Sequence, residues 1–196
     1  MIAAKEISIP QLKIQFLELE LIGDTPLIMH KWAEKGLKMI QDKQGGKAKA
    51  GREFRKPEEE FRAAMYIDSK LGYCFPANAF KCAAVRAGTD LNLKMTDLKR
   101  AFFVEGEMVK IISENPIMRT DTVRIGMGTT DLRYRPQFNN WRAKLVIKYN
   151  ANVISDEQII NLFNVAGFGV GIGEQRPTAA GGFNYGTFHI KNNKDK

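Results

Sequence analysis

The stretch NNWRAKLVIKYN, residues 139–150, constrains the fold more than any other part of the chain. Trp141, Ala143, Leu145, Ile147 and Tyr149 share one parity, and Arg142, Lys144, Val146 and Lys148 share the other. Successive side chains of a β-strand point to opposite faces. The pattern therefore predicts a half-buried strand over 139–149 with one face in the core and the other mostly basic. Parity places Trp141 in the core. Residues 11–22, QLKIQFLELELI, also alternate. Leu12, Ile14 and Phe16 share one parity there and Leu17, Leu19 and Leu21 the other, a switch that predicts a bulge near Phe16–Leu17.

The remaining elements follow from caps and breakers. GDTP turns the chain after the first strand, and Leu27 to Gln41 is expected as a helix. Pro57 opens a helix through Tyr66, with three glutamates in the turn where the helix dipole favours anions. A helix after Pro76 runs through Arg86 to stop at Gly88, and Thr96 caps a short one to Phe103. Strands are expected at 107–112 and 117–125. Ser155 with Gln158 forms a capping box for a helix from Asp156 to Ala166, and Tyr185 to Ile190 closes as a strand. The expected fold is α+β, a ferredoxin-like (RRM-like) β-α-β-β-α-β core with a long helical insertion after the first strand. One domain spans 1–196, with 25–104 mainly helical insertion and a mobile basic loop at 43–56.

Composition narrows the partners. Hydrophobic residues at 44% and charged residues at 27% mark an ordinary globular chain, but 30 Lys and Arg against 22 Asp and Glu leave a net charge of +8. Such a field attracts polyanions. The two cysteines, Cys74 and Cys82, fit neither a zinc cluster nor a secreted disulfide framework, and are expected as reduced thiols. No run of about 18 apolar residues exists, and the N-terminus lacks a signal-peptide core. A cytoplasmic protein without membrane contact, metal or cofactor is the expectation.

Three stretches carry the binding chemistry. The loop KQGGKAKAGREFRK holds Lys47, Lys49, Arg52 and Arg55 among three glycines and one acid, as an arm that clamps phosphates does. A solvated charged loop is the competing reading. The segment GMGTTDLRYRPQFNNWRAK interleaves Arg133, Arg135, Arg142 and Lys144 with aromatic rings, of which Tyr134 is the stacking candidate. Cations with aromatic faces favour single strands, whose unpaired bases can stack. The third, GFGVGIGEQRPTAAGGFNYG, has seven glycines from Gly167 to Gly186 around Arg176. Glycines let backbone approach a ligand closely, or pack a turn tightly. Their spacing matches neither a Walker A loop nor a dinucleotide-binding fingerprint. Catalytic material is sparse. His189 is expected to be structural, and His30, in TPLIMHKW, is the one weak candidate for a base acting on an RNA 2′-hydroxyl.

Three separated segments together resemble the RAMP superfamily of RNA-binding CRISPR proteins, and most of all its Cas7-like backbone branch. LELELIGDTPLIMH resembles that family's opening strand and T-P-L turn. FPANAFKCAAVRA is similar to its P-G-S-S-L-K-G-x-x-R helix start, with Pro76, Phe80 and Lys81 in place and Arg86 one residue late. Ala77, Asn78 and Cys82 stand where the family has glycine and serines. GFGVGIGEQRPTAAGGFNYGTFHI resembles its glycine-rich loop with a central basic residue. These segments cover about half of the chain. The departures fit a remote relative, including one encoded by a phage. The resemblance implies RNA or single-stranded DNA binding, Lys81 and Arg176 near the phosphates, head-to-tail oligomerisation along the strand, and no catalysis. Asp24 precedes the T-P-L turn, so the metal-dependent cleavage of a related branch does not carry over.

The expected function is non-enzymatic binding of single-stranded nucleic acid along the phosphate backbone. Two alternatives stay open: a metal-independent endoribonuclease using His30, and a phage recombination or virion-interaction protein whose charge is incidental.

Overall fold

The computed structural model describes residues 11–32, 41–42, 44–46, 54–125 and 128–192. They form a mixed α and β protein with two antiparallel sheets and four α-helices.

The alternating stretch at 139–150 becomes strand β9, Arg142–Asn150, and the first alternating stretch becomes β1, Ile14–Gly23. The two pair antiparallel in unbroken register from Ile14 opposite Asn150 to Ile22 opposite Arg142. The expected bulge at Phe16–Leu17 is therefore absent. Leu17, Leu19 and Leu21 take the core face throughout, and Ile14 and Phe16 stay exposed on the other. The parity switch reflected an apolar outer face, not an extra residue.

Around this pair the larger sheet adds β10 (Phe188–Ile190) beside the end of β1. On the far side of β9 lie β5 (Phe102–Val104) and β6 (Met108–Ile112), end to end along one edge. Beyond β6 come β4 (Gly72–Pro76) and the two-residue β3 (Ile67–Asp68). The second sheet holds β2 (Leu27–Ile28), β8 (Thr129–Phe138) and β7 (Ile117–Ile125), with β7 and β8 forming a long hairpin.

Residues 27–28 are strand β2, where a helix was expected to begin; residues 33–40 of that expected helix lie outside the described residues. Leu27 and Ile28 are fully buried and pair with Phe138 and Gln137, so sheet pairing outweighs the helical reading.

Helices α1 (Pro57–Ala63), α2 (Ala77–Ala87) and α4 (Asp156–Val165) form close to where Pro57, Pro76 and the Ser155–Gln158 box place them, whereas α3 (Met95–Ala101) begins before Thr96 with Lys94 at its N-cap and no side-chain cap, so the expected Thr96 cap is not made. The box is made in both directions: Gln158 N donates to Ser155 Oγ at 3.2 Å, and Ser155 N donates to Gln158 Oε1 at 3.0 Å. Small residues on α2 (Ala83, Ala84, Ala87) let it lie close on the core beside Phe80. Buried residues of α2 and α4 share one core with Leu19, Leu21, Ala143, Leu145 and Ile147 on the inner face of β1 and β9. Burying each such large apolar side chain contributes roughly 1.5–3 kcal/mol. Trp141 is fully buried, edge-on to Phe188 at 6.0 Å, and its Nε1 donates to the Thr25 carbonyl at 2.9 Å. Among the described residues no helix is long and apolar enough to cross a membrane.

Candidate nucleic-acid interface

The segment after α4 opens on a π-helical turn, Ala166–Val170, and then runs without regular structure to β10. Most of its glycines have steric reasons, although a Cβ at Gly169 or Gly182 would meet nothing within 4 Å. Gly173 has φ +78°, and a Cβ there would lie 2.5 Å from the Ile28 carbonyl oxygen. Gly186, at φ +66°, would put a Cβ 1.8 Å from that of Ile172. Both values lie in the backbone region that L side chains avoid. Glu174 N donates to the Ile28 carbonyl and Gly186 N to that of Pro26, each at 2.9 Å, so the segment is bonded to the chain around β2. Gly173 and Gly186 thus serve close backbone packing.

Between this segment and α2 lies a cleft of about 310 Å³. Ala79, Ala83 and Arg86 line it from the helix, Gly171, Glu174, Arg176 and Thr178 from the glycine-rich side, and His30 and Tyr66 from the ends of neighbouring strands. Two stretches almost a hundred residues apart in sequence therefore meet at one concave site. Arg176 Nη1 donates to the Gly173 carbonyl at 2.8 Å, which fixes its stem across the loop.

A charge network backs the cleft. Asp121 on β7 and Arg135 on β8 are both buried; Arg135 is 6% exposed. Asp121 accepts from Arg119 Nε at 2.7 Å and from Arg135 Nη1 at 3.3 Å. Arg135 Nη2 reaches Glu174 Oε2 at 3.4 Å and His30 Nδ1 at 3.3 Å. Glu174 Oε1 faces the same Nδ1 at 3.8 Å. Bonding to His30, with help from Arg135 and Arg176, holds the Glu174 carboxyl below its ordinary value despite its burial. Arginine only donates. With Arg135 bonded, Nδ1 of a neutral His30 ring accepts and the proton sits on Nε2; a protonated ring donates from Nδ1 to Glu174 instead.

The other expected site residues fall elsewhere. Arg55 bonds the Asp131 side chain and the Leu132 carbonyl, tying the chain two residues before α1 to the β7–β8 hairpin. Arg133 pairs with the other oxygen of Asp131 at 3.0 Å. Tyr134 is half-buried, opposite Thr120. Arg142 and Lys144 are exposed on the outer face of β9, opposite the face that carries the core. Lys81 is half-buried, donates to the Lys99 carbonyl at 2.9 Å and stands 3.8 Å from the Phe103 ring centroid; burial lowers its pKa. Lys47, Lys49 and Arg52 lie outside the described residues. The cleft thus brings together His30 and Arg176, backed by Arg135, but not the rest of the expected set. Glu174, Asp121 and Arg119 were not singled out from sequence, although charged residues inside otherwise strand-like or glycine-rich stretches were a usable signal. Among the described residues no three His, Cys, Asp and Glu side chains gather as a metal site.

The fold and cleft define an antiparallel α and β protein with a glycine-walled, partly basic groove. No protein-family model matches the sequence, and no curated protein matches it. Among solved structures, a chain from the cryo-EM structure of the Type III-B Cmr-beta bound to cognate target RNA has a similar fold, with a TM-score of 0.54 at 12% sequence identity. The similarity covers 92% of this chain and 60% of that one, so this chain spans about three-fifths of its neighbour's length. At this identity the likeness is one of fold.

Proposed function

We propose that this chain is a RAMP-like protein, nearest the Cas7-like branch, that binds single-stranded RNA or DNA without cleaving it, through the cleft between α2 and the glycine-rich segment. The observation that carries the reading is the meeting of Arg86 and Arg176 in that cleft. They come from two of the three stretches, 75–87 and 167–190, on which the sequence resemblance rests. The fold likeness to a chain of an RNA-bound Cmr-beta complex supports the same reading.

The strand order supports a ferredoxin-like core. With β5 and β6 taken as one broken strand, β1, α2, β5–β6, β9, α4 and β10 follow the order β-α-β-β-α-β, with the strands arranged spatially as β10-β1-β9-β6. The β7–β8 hairpin is then an insertion between the second and third core strands.

Arg86 and Arg176 are the phosphate ligands in this reading. His30, with Nδ1 engaged by Arg135, is assigned to ligand contact and not to proton abstraction. Fluorescence anisotropy with a labelled oligouridine and its oligothymidine counterpart tests the assignment. Arg86→Ala and Arg176→Ala should each weaken binding about tenfold, the scale of one charge-assisted hydrogen bond. Affinities equal to that of the unmodified protein overturn it, and cleavage of the RNA by the unmodified protein overturns the non-enzymatic part.

A further inference from the structure

We infer that the outer face of the larger sheet is a second binding surface for single-stranded nucleic acid, separate from the cleft. The opposite face shares one core with α2 and α4, and the outward side chains of β1, β5 and β9 are left accessible. Phe16 on β1 is 60% exposed and Phe103 on β5 is 48% exposed. Both register opposite the same residue of β9, Lys148. One row across three strands therefore runs Phe16, Lys148, Phe103, and Lys81 adds a second ammonium at the rim. Lys148 Nζ lies 6.0 Å from the Phe16 centroid and Lys81 Nζ lies 3.8 Å from that of Phe103. Ring, cation, ring and cation alternate from β1 to the sheet edge.

The chemistry of that row selects its occupant. Adjacent strands stand about 4.8 Å apart, so the two rings are separated by roughly 10 Å with a cation between them. Two bases splayed from an extended backbone span such a gap, each on one ring, with the intervening phosphate at Lys148. Further along β9, Lys144 and Arg142 continue the cationic track on the same face. The acids that β1 places on this face are Glu18 and Glu20, and Glu20 is already held by Lys191 at 3.0 Å; Glu105, just past β5, shares the parity of Phe103. A protein partner is disfavoured by the lysines in the middle of the row, because lysine is depleted at the centre of protein interfaces.

Photocrosslinking tests the inference on the full chain, using 5-iodouridine RNA and the matching iododeoxyuridine DNA, with peptide mapping by mass spectrometry. Crosslinks are expected at Phe16 and Phe103, and they should persist in a protein carrying Arg86→Ala and Arg176→Ala. The RNA and DNA arms identify the preferred backbone. In anisotropy, Phe16→Ala and Phe103→Ala should each cost at least about fivefold in affinity. Both rings are about half exposed or more, so the thermal midpoint should stay near that of the unmodified protein. Crosslinks confined to α2 and the glycine-rich segment overturn the inference and leave the cleft assignment standing. Unchanged oligonucleotide affinity in the ring variants, or their loss of a co-purifying protein without loss of oligonucleotide affinity, also overturns it. Weakened binding in the arginine variants with ring crosslinks retained upholds both sites.

Discussion

Replacing Asp121 by alanine removes the counter-charge that lets an arginine be buried in the β7–β8 hairpin. Asp121 bonds Arg119 at 2.7 Å and Arg135 at 3.3 Å, and Arg135 already has one buried nitrogen, Nε, without a partner. Without the carboxylate, Arg135 keeps Glu174 at 3.4 Å, a partly exposed acid. Arg119 keeps the Gln137 oxygen at 3.1 Å and the Tyr185 ring. Breaking a buried ion pair from one side typically costs 3–5 kcal/mol, and the surviving Glu174 contact places Asp121→Ala near about 3 kcal/mol. With a urea m-value of about 2 kcal/mol per molar, the unfolding midpoint should fall by about 1.5 M. Adding Arg135→Met removes the stranded charge and restores apolar packing, so the double variant should recover to within about 1 kcal/mol of the unmodified protein. A single variant that loses less than about 0.5 M, or a double variant no more stable than the single, would show that the hairpin is not held by this charge pair.

Two further perturbations bear on the walls of the cleft. Gly186→Ala combines a positive φ of +66° with a Cβ 1.8 Å from the Ile172 carbonyl, and should cost more than about 2 kcal/mol by calorimetry. Gly182→Ala, at φ +59° with nothing within 4 Å, should cost only about 1 kcal/mol; equal effects would contradict the close-packing role of Gly186. The Glu174 carboxyl is held below its ordinary value of 4.5 by His30 first. Its folded pKa is depressed, so its contribution is fully present above 4.5 and is lost as pH falls through the lower folded value. The difference in urea midpoint between the unmodified protein and Glu174→Gln should therefore shrink as pH falls below 4.5. A gap that stays unchanged through that acid range contradicts the assignment.

The sheet was legible where side chains alternate and helices where caps are explicit. Trp141, Leu145 and Ile147 announced β9, and Ser155 with Gln158 announced α4, because both signals are local. The second sheet was harder. β8, TTDLRYRPQF, contains Pro136 and charged residues, and it exists because β7 and β2 flank it and Asp121 and Asp131 neutralise its arginines. That stabilisation is long-range and leaves little trace in a short window. For the same reason Arg135, expected on a phosphate track, is buried, since parity alone did not reveal a facing acid. The parity of Phe16 predicts a bulge, but the apolar residue on the outer parity is an exposed ring in an unbroken strand. The glycine-rich stretch was recognisable as a loop approaching other backbone, but its partner, the chain around β2, became visible only in three dimensions.

The most direct measurement of the central claim is the salt dependence of oligonucleotide binding, followed by anisotropy from about 50 to 200 mM salt. For single strands, log affinity falls with log salt by about 0.7 for each phosphate neutralised. Cleft binding through Arg86 and Arg176, with cations on the sheet face, predicts a slope of about −2 or steeper, made shallower by about 0.7 in Arg176→Ala. A flat profile, or a slope that Arg176→Ala leaves untouched, would contradict phosphate recognition at the cleft.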